Sequence, residues 1–469
     1  MPTPNPSRPT RLACSTTSPD DRTRPSGVRP ASPPTVDRRS TGTRRHREAT
    51  GSRTEHVNRE TDVLVVGGGA TGVGVARDLG LRGVETVVVE RNGLAGGATG
   101  NTHGVLHSGA RYATSDPESA RECIAENEIL REVAPHCIDP TGGFFAQLPD
   151  DDGYFERLRN RCRDCGIDAE PVDVESVRRD RPYLSPETER LLRVPDAVVH
   201  PFPLAVANAV DAREHGGAIH TQAEVVDLLV DGGEVTGAEI RRPGTTGTET
   251  IRADHVVNAT GAWAGEVGSL ADVEIPMRPS KGAMVVVDYP PVDAVVNRAR
   301  PATDGDIVVP HDSTAVLGTT SEAVDDPDEY PKEEWEVDLL VETAGEMVPD
   351  LQTAPVVRSY WGVRPLFGGE ASEFEAGRSV TRGYTLLDHG ERDGVSGFTT
   401  IVGGKLTTYR LMAESVADHV CERLGVDAPC RTAAEPLPGR DDPDALRSAL
   451  SEFGPLPPAE ERPSDARRG

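Results

Sequence analysis

The chain has 469 residues, 36% of them hydrophobic, and a formal charge of −27 at pH 7. That length exceeds one ordinary domain, and no apolar run approaches the roughly 20 residues needed to span a bilayer. Residues 1–60 hold 12 Arg and 6 acidic side chains, a net +6, so residues 61–469 carry −33, which argues against nucleic acid as a partner of the folded part.

Residues 1–56 are rich in Pro, Ser, Thr and Arg and nearly devoid of apolar side chains, so they are expected to be disordered. The change of charge sign near Val57 suggests a tail foreign to the domain, with the true start close to that residue. No short apolar stretch follows the N-terminal arginines, so neither a secretory nor a twin-arginine signal is expected. Residues 62–66 read as a buried strand running into Gly67-Gly68-Gly69-Ala70-Thr71-Gly72. Gly67, Gly69 and Gly72 fit G-x-G-x-x-G: a tight turn, close backbone approach to a pyrophosphate, and close packing of the next helix on the strand. That helix aims its first N–H groups at phosphates. Residues 86–89 form a second strand. Glu90 ends it, about 20 residues after the loop, where a carboxylate accepts hydrogen bonds from ribose hydroxyls. The combination reads as a dinucleotide-binding unit.

Residues 93–112 form a polar loop. Helices are expected over 118–133, 154–165 and 174–181, the last stopped by Pro182, with a strand at 144–148. Cys162 and Cys165 make a C-x-x-C with no second pair, read as two thiols on a surface helix; no metal site is expected. Seven scattered cysteines without a signal point to a reducing cytoplasm. A helix over 203–215 ends at Gly216-Gly217. Strands at 223–230, 234–241 and 249–254 form a meander inserted in the nucleotide domain, and it delivers Asn258-Ala259-Thr260-Gly261. Further strands are expected at 282–288, 306–310, 315–319, 355–363, 384–388 and 398–402, with a helix at 335–347. The last strand runs into Gly403-Gly404-Lys405 and a long amphipathic helix. Residues 431–469 are Pro-rich and polar, and are expected to be weakly ordered.

Three separated segments converge on a flavin: the glycine loop with Glu90, the small residues Asn258 to Gly261, and Gly403-Gly404-Lys405 at a helix start. The positive end of that helix suits the edge of an isoalloxazine that becomes anionic on reduction. A nicotinamide domain would keep these elements in one block.

The segments GGATGNTHGVLHSGARYA, NATGAW, MRPSKGAMVVVD, DIVVPHDSTAVLGTTS, SYWGVRPL and GGKLTTYRLMAE closely resemble FAD-dependent glycerol-3-phosphate dehydrogenases. SARECIAENEIL and LLDHGERDGVSGF look most like the A subunit of the anaerobic enzyme, and the resemblance covers about residues 61–438. It implies an α/β fold in which a Rossmann-like FAD-binding domain (about 61–140, 196–270 and 384–428) interleaves with an antiparallel-sheet substrate domain (141–195 and 271–383), as in glycine and D-amino-acid oxidases. FAD would be held by Gly67, Gly69, Gly72, Glu90, Thr99, Ala259, Gly261, Gly403, Gly404, Lys405, Leu406 and Thr407. A phosphate ester near dianionic at pH 7 would meet Arg111, Tyr112, Arg364, Arg382 and Lys405. Arginine suits phosphate because its planar fork binds two oxygens.

Oxidation at C2 needs a base for the hydroxyl proton. The resemblance places His107 beside the isoalloxazine, with His103 a rival and Arg364 an alternative that polarises the hydroxyl while water takes the proton. Implied partners are a second flavoprotein and an iron–sulfur membrane anchor, holding the chain at the inner face of the cell membrane and passing electrons to quinone. The catalytic flavoprotein of the anaerobic enzyme usually continues into a cysteine-rich region. No Cys follows Cys430, so the chain holds no ligand set for an iron–sulfur centre: either electrons leave by another subunit, or the gene is truncated, or this is a shorter variant, and the tail's lack of apolar periodicity favours loss. Rival readings are a glycerol-3-phosphate oxidase using O2, an amino-acid oxidase of the same fold, and a truncated non-catalytic flavoprotein. The acidic, lysine-poor composition resembles that of proteins from salt-loving cells.

Overall fold

A computed structural model describes residues 58–454 except 152, 369–382 and 443. Arg382 therefore lies outside the described residues, as do the expected N-terminal tail and residues 455–469 of the C-terminal one.

The chain opens with β1 (Asn58–Val66), α1 (Ala70–Leu81) and β2 (Thr86–Val89). β1 is central in its sheet. β2 pairs parallel on one side and the strand Glu249–Asn258 pairs parallel on the other. A parallel strand covered on both faces needs an uninterrupted apolar run, which is why Val63 to Val66 are all buried. The strand Phe398–Gly403 joins in parallel through Val256, Val257 and Asn258. The glycine loop, the Asn258 segment and the Gly403 segment therefore leave the carboxyl ends of three neighbouring strands, the edge at which open α/β sheets hold ligands. The meander (Glu224–Asp231 with Glu234–Arg241) lies antiparallel on the other end of Glu249–Asn258.

The second sheet is mostly antiparallel and is drawn from the intervening stretches. Gly143–Gln147 pairs with Arg190–Val194, and Ser280–Val287 pairs along its length with Val356–Arg364. Helix Glu334–Met347 covers it, packing Leu340, Ala344 and Met347 against Val285 and Leu317. The fold class is the expected one: two large sheets assembled from interleaved segments, with a third, three-stranded sheet formed by Val105–Leu106, Ala197–Val199 and Ile138–Asp139.

Two expectations are corrected. Cys162 and Cys165 are not surface thiols; they are buried with Phe155 and Leu158 in one cluster. The helix Tyr154–Asp164 turns 155, 158 and 162 inward and its arginines outward, as a 3.6-residue period dictates. The described residues of 431–454 are also not weakly ordered. Buried Arg77 donates to the carbonyls of Thr432 and Glu435, at 3.3 and 2.7 Å, and Leu437 is buried. Helix Asp444–Phe453 places Leu446, Ala449 and Phe453, at i, i+3 and i+7, against the helix Pro201–Glu214. No helix among the described residues is long and apolar enough to cross a membrane.

Candidate active site

Gly67 adopts φ +112°, and a Cβ there would lie 2.5 Å from the Ala259 carbonyl oxygen. The contact is close because Ala259 N–H donates to Val66 O at 2.8 Å, sewing the two strand ends together. A Cβ on Gly72 would lie 1.9 Å from Gly67 O, so only hydrogen lets α1 pass this near the loop. Glu90 accepts from Gly68 N–H (2.7 Å) and Asn92 N–H (2.8 Å). Burial pushes its pKa up, and these two bonds pull it back. Thr99 accepts Ala70 N–H at 3.1 Å, tying the loop after Glu90 to the first turn of α1.

One groove runs past Gly67, Gly69, Glu90, Thr99, Ala259, Gly261, Gly403, Gly404, Lys405 and Leu406. Gly72 and Thr407 do not line it. Gly72 packs behind the loop, and the buried Thr407 hydroxyl accepts His107 N–H at 3.1 Å. A 3-10 turn, Leu406–Thr408, separates Lys405 from the helix Tyr409–Leu424. At the Glu90 end, Arg91 stacks 4.3 Å from the Trp263 ring centroid, and Arg91 and Trp263 both hold Asp328, at 2.6 and 3.0 Å.

Ala98, Thr102, Pro365, Gly404, Lys405 and Leu406 line both this groove and a second chamber. The chamber brings together His103, His107, Arg111, Tyr112, Arg364 and Lys405. His107 is 8% exposed, and its ring lies edge-on to Tyr112 and His103, with centroids 5.4 and 5.7 Å away. The backbone beneath it is pinned: Ser108 N–H donates to Asp196 at 2.7 Å, and Asn297 donates to the other oxygen at 3.2 Å. Burial pushes the Asp196 pKa up.

Arg111 lies 3.5 Å from Asp306, which also accepts from Arg300 and Thr303. Arg364 donates to Lys281 O (3.1 Å), Thr320 O (2.9 Å) and the Thr319 hydroxyl (2.8 Å). Behind it, buried Glu336 accepts from Lys281 Nζ, the Thr320 hydroxyl and Trp361 Nε1 at 2.7, 2.7 and 2.9 Å. Lys281 is thus a buried structural cation. Lys405 Nζ donates to Ser119 Oγ at 3.1 Å and sits 5.1 Å from the Tyr112 ring centroid.

Sequence reasoning missed Arg157 and Arg161, which also line the chamber. No family-like segment contains them; their i, i+4 spacing in FERLRNRCR was the available signal. Among the described lining residues, five cations (Arg111, Arg157, Arg161, Arg364, Lys405) face two acids (Asp116, Asp304), a net +3. A groove for an extended dinucleotide therefore opens onto an imidazole in a cationic chamber, an arrangement suited to oxidising an anionic substrate.

The chain matches the family model "FAD dependent oxidoreductase" over residues 62–410. It is 53% identical over 408 residues to the A1 subunit of the anaerobic glycerol-3-phosphate dehydrogenase of Haloferax volcanii, a match covering 85% of this chain and 70% of that relative. It is 45% identical over 404 residues to the corresponding A subunit of Escherichia coli K12, covering 85% and 74%. Among solved structures it is similar to the glycerol-3-phosphate dehydrogenase from Bacillus halodurans complexed with FAD, with TM-score 0.63 and 25% identity over 84% of this chain and 72% of that one. Glycine oxidase from Geobacillus kaustophilus shares the fold, with TM-score 0.64 and 22% identity over 81% and 98%.

Proposed function

Because the chain belongs to the FAD dependent oxidoreductase family and, within it, to the A subunits of anaerobic glycerol-3-phosphate dehydrogenases, we propose that it oxidises sn-glycerol 3-phosphate to dihydroxyacetone phosphate and passes the electrons on to quinone. The reaction removes a hydride from C2 and a proton from its hydroxyl. When bound, FAD supplies the two-electron acceptor. The groove's lining fits it: Gly67 and Gly69 would admit a pyrophosphate, the Glu90 carboxylate would take the ribose, and Ala259, Gly261 and the Gly403 to Leu406 stretch would hold the rest.

This chain's residues handle the proton and the phosphate. His107 accepts the hydroxyl proton on a ring nitrogen, since a neutral imidazole has the matching basicity near pH 7. Tyr112 borders the ring of His107 and the ammonium of Lys405. Arg111, Arg364 and Lys405 receive the phosphate, and their anchoring to Asp306, Lys281 O and Ser119 fixes each charge before substrate arrives. Like the A subunits it resembles, the chain works within a complex. A second flavoprotein and an iron–sulfur anchor would hold it at the inner membrane face.

The observation that carries this reading is the continuity of groove and cationic chamber through Gly404, Lys405 and Leu406. Anaerobic mixing of the FAD-loaded protein with glycerol 3-phosphate should bleach the flavin, and glycerol should not. Absence of bleaching by the phosphate ester would leave a non-catalytic flavoprotein.

A further inference from the structure

Among the described residues most arginines sit beside a carboxylate; Arg157 has no carboxylate partner there, and it lines the substrate chamber. We propose that Arg157 and Arg161 form the anion-selecting mouth of that chamber and admit substrates that carry a phosphate. Nothing in the family-like segments assigns them a role, and the inference rests on the phosphate-ester reading above.

Both residues project from one face of the helix Tyr154–Asp164, one turn apart, while Phe155, Leu158 and Cys162 anchor the adjoining face in the core. Arg157 rests 5.0 Å from the Tyr154 ring centroid, a contact that orients a guanidinium without neutralising it. The Tyr154 hydroxyl is in turn hydrogen-bonded to Thr114 at 2.8 Å, so the helix is tied to the loop that carries Arg111 and Tyr112. Arg161 is 55% exposed, and its nearest acid, Asp164, is 3.7 Å away and itself half exposed. Arg364, Arg111 and Lys405, deeper in, are already bound to protein acceptors. The outer pair therefore supplies the positive field that a dianion meets first. In a fold whose residues 61–469 carry −33, the dianion is otherwise repelled at long range.

The test is a titration of the FAD-loaded protein, following the flavin spectrum, with glycerol 3-phosphate and separately with inorganic phosphate at fixed ionic strength. Arg157→Gln with Arg161→Gln should weaken both ligands by roughly tenfold or more, the scale of one lost charge-assisted contact. Arg159→Gln is the control for lost charge on the same helix. Arg159 pairs with Glu156 at 3.6 Å and does not line the chamber, so it should leave both affinities within about twofold. An intact flavin spectrum and thermal midpoint in the double variant exclude misfolding. If that variant binds both ligands like the parent, the proposal is wrong. It is equally wrong if Arg159→Gln weakens binding as much, since that would be a net-charge effect. If the parent binds phosphate through these arginines yet is never bleached by glycerol 3-phosphate, the proposed reaction fails and the mouth stands.

Discussion

A methyl group at residue 72 would sit inside the van der Waals envelope of Gly67 O, 1.9 Å away, and 3.0 Å from Gly67 C, both backbone atoms with no side chain to swing aside. Gly72→Ala should therefore push α1 off the loop. The expected outcome is FAD-free protein destabilised by about 1–3 kcal/mol or more, measured by absorbance at purification and by denaturant midpoint. His107 makes a different prediction because its side chain faces the chamber rather than the core. His107→Ala should lower kcat at least ~100-fold with FAD retained. A variant within about threefold of the parent would remove His107 from the role of base and turn attention to His103, whose ring is 5.7 Å away. The glycines and Glu90 were legible from spacing because each answers a local backbone demand. Arg157 and Arg161 were not, since an arginine on a helix looks the same whether it faces bulk solvent or a chamber.

The strand Phe398–Gly403 shows what single elements add. His255 contacts the Thr399 hydroxyl at 2.9 Å and His389 contacts the Thr400 hydroxyl at 2.8 Å, so the strand that delivers Gly403 is braced by two buried imidazoles. Burial, with nearby His419 adding to it, lowers the His255 pKa from 6.5 to about 4, and burial lowers that of His389. The unfolded chain therefore binds the His255 proton more readily between those values. Stability is intact above about pH 6.5 and falls as pH drops toward 4, by about 3 kcal/mol for His255 alone. Denaturant midpoints at pH 7 and pH 4.5 should differ clearly less in His255→Gln than in the parent; equal differences would contradict the assignment. At this scale the sequence was readable wherever an apolar run or a helical period spoke for itself, as in β1 and the helix Tyr409–Leu424. It was not readable at Asp444–Phe453, whose three apolar residues acquire meaning only against Pro201–Glu214.

For the whole molecule the dominant quantity is charge. Residues 61–469 carry −33, and only three of the 50 basic residues are lysines. Repulsion between exposed carboxylates acts over about 10 Å at 0.1 M salt and about 3 Å at 1 M. The thermal midpoint should therefore rise as KCl is raised across that range, and a flat or falling midpoint would show that self-repulsion is not a significant cost. What the sequence determined by itself lies within short spans. The βαβ start, its three glycines and the acid at the end of β2 rest on turn geometry and periodicity over some thirty residues, and the family-like segments rest on resemblance alone. The chamber was decided only by tertiary structure. Lys405 meets Ser119 across 286 positions, Arg364 is held by Lys281 O and Thr320 O, and Ser108 is fixed by Asp196 across 88. Those neighbours are set by which strands pair and which helix packs on them, and that register is a property of the assembled sheets that no local stretch of chain contains.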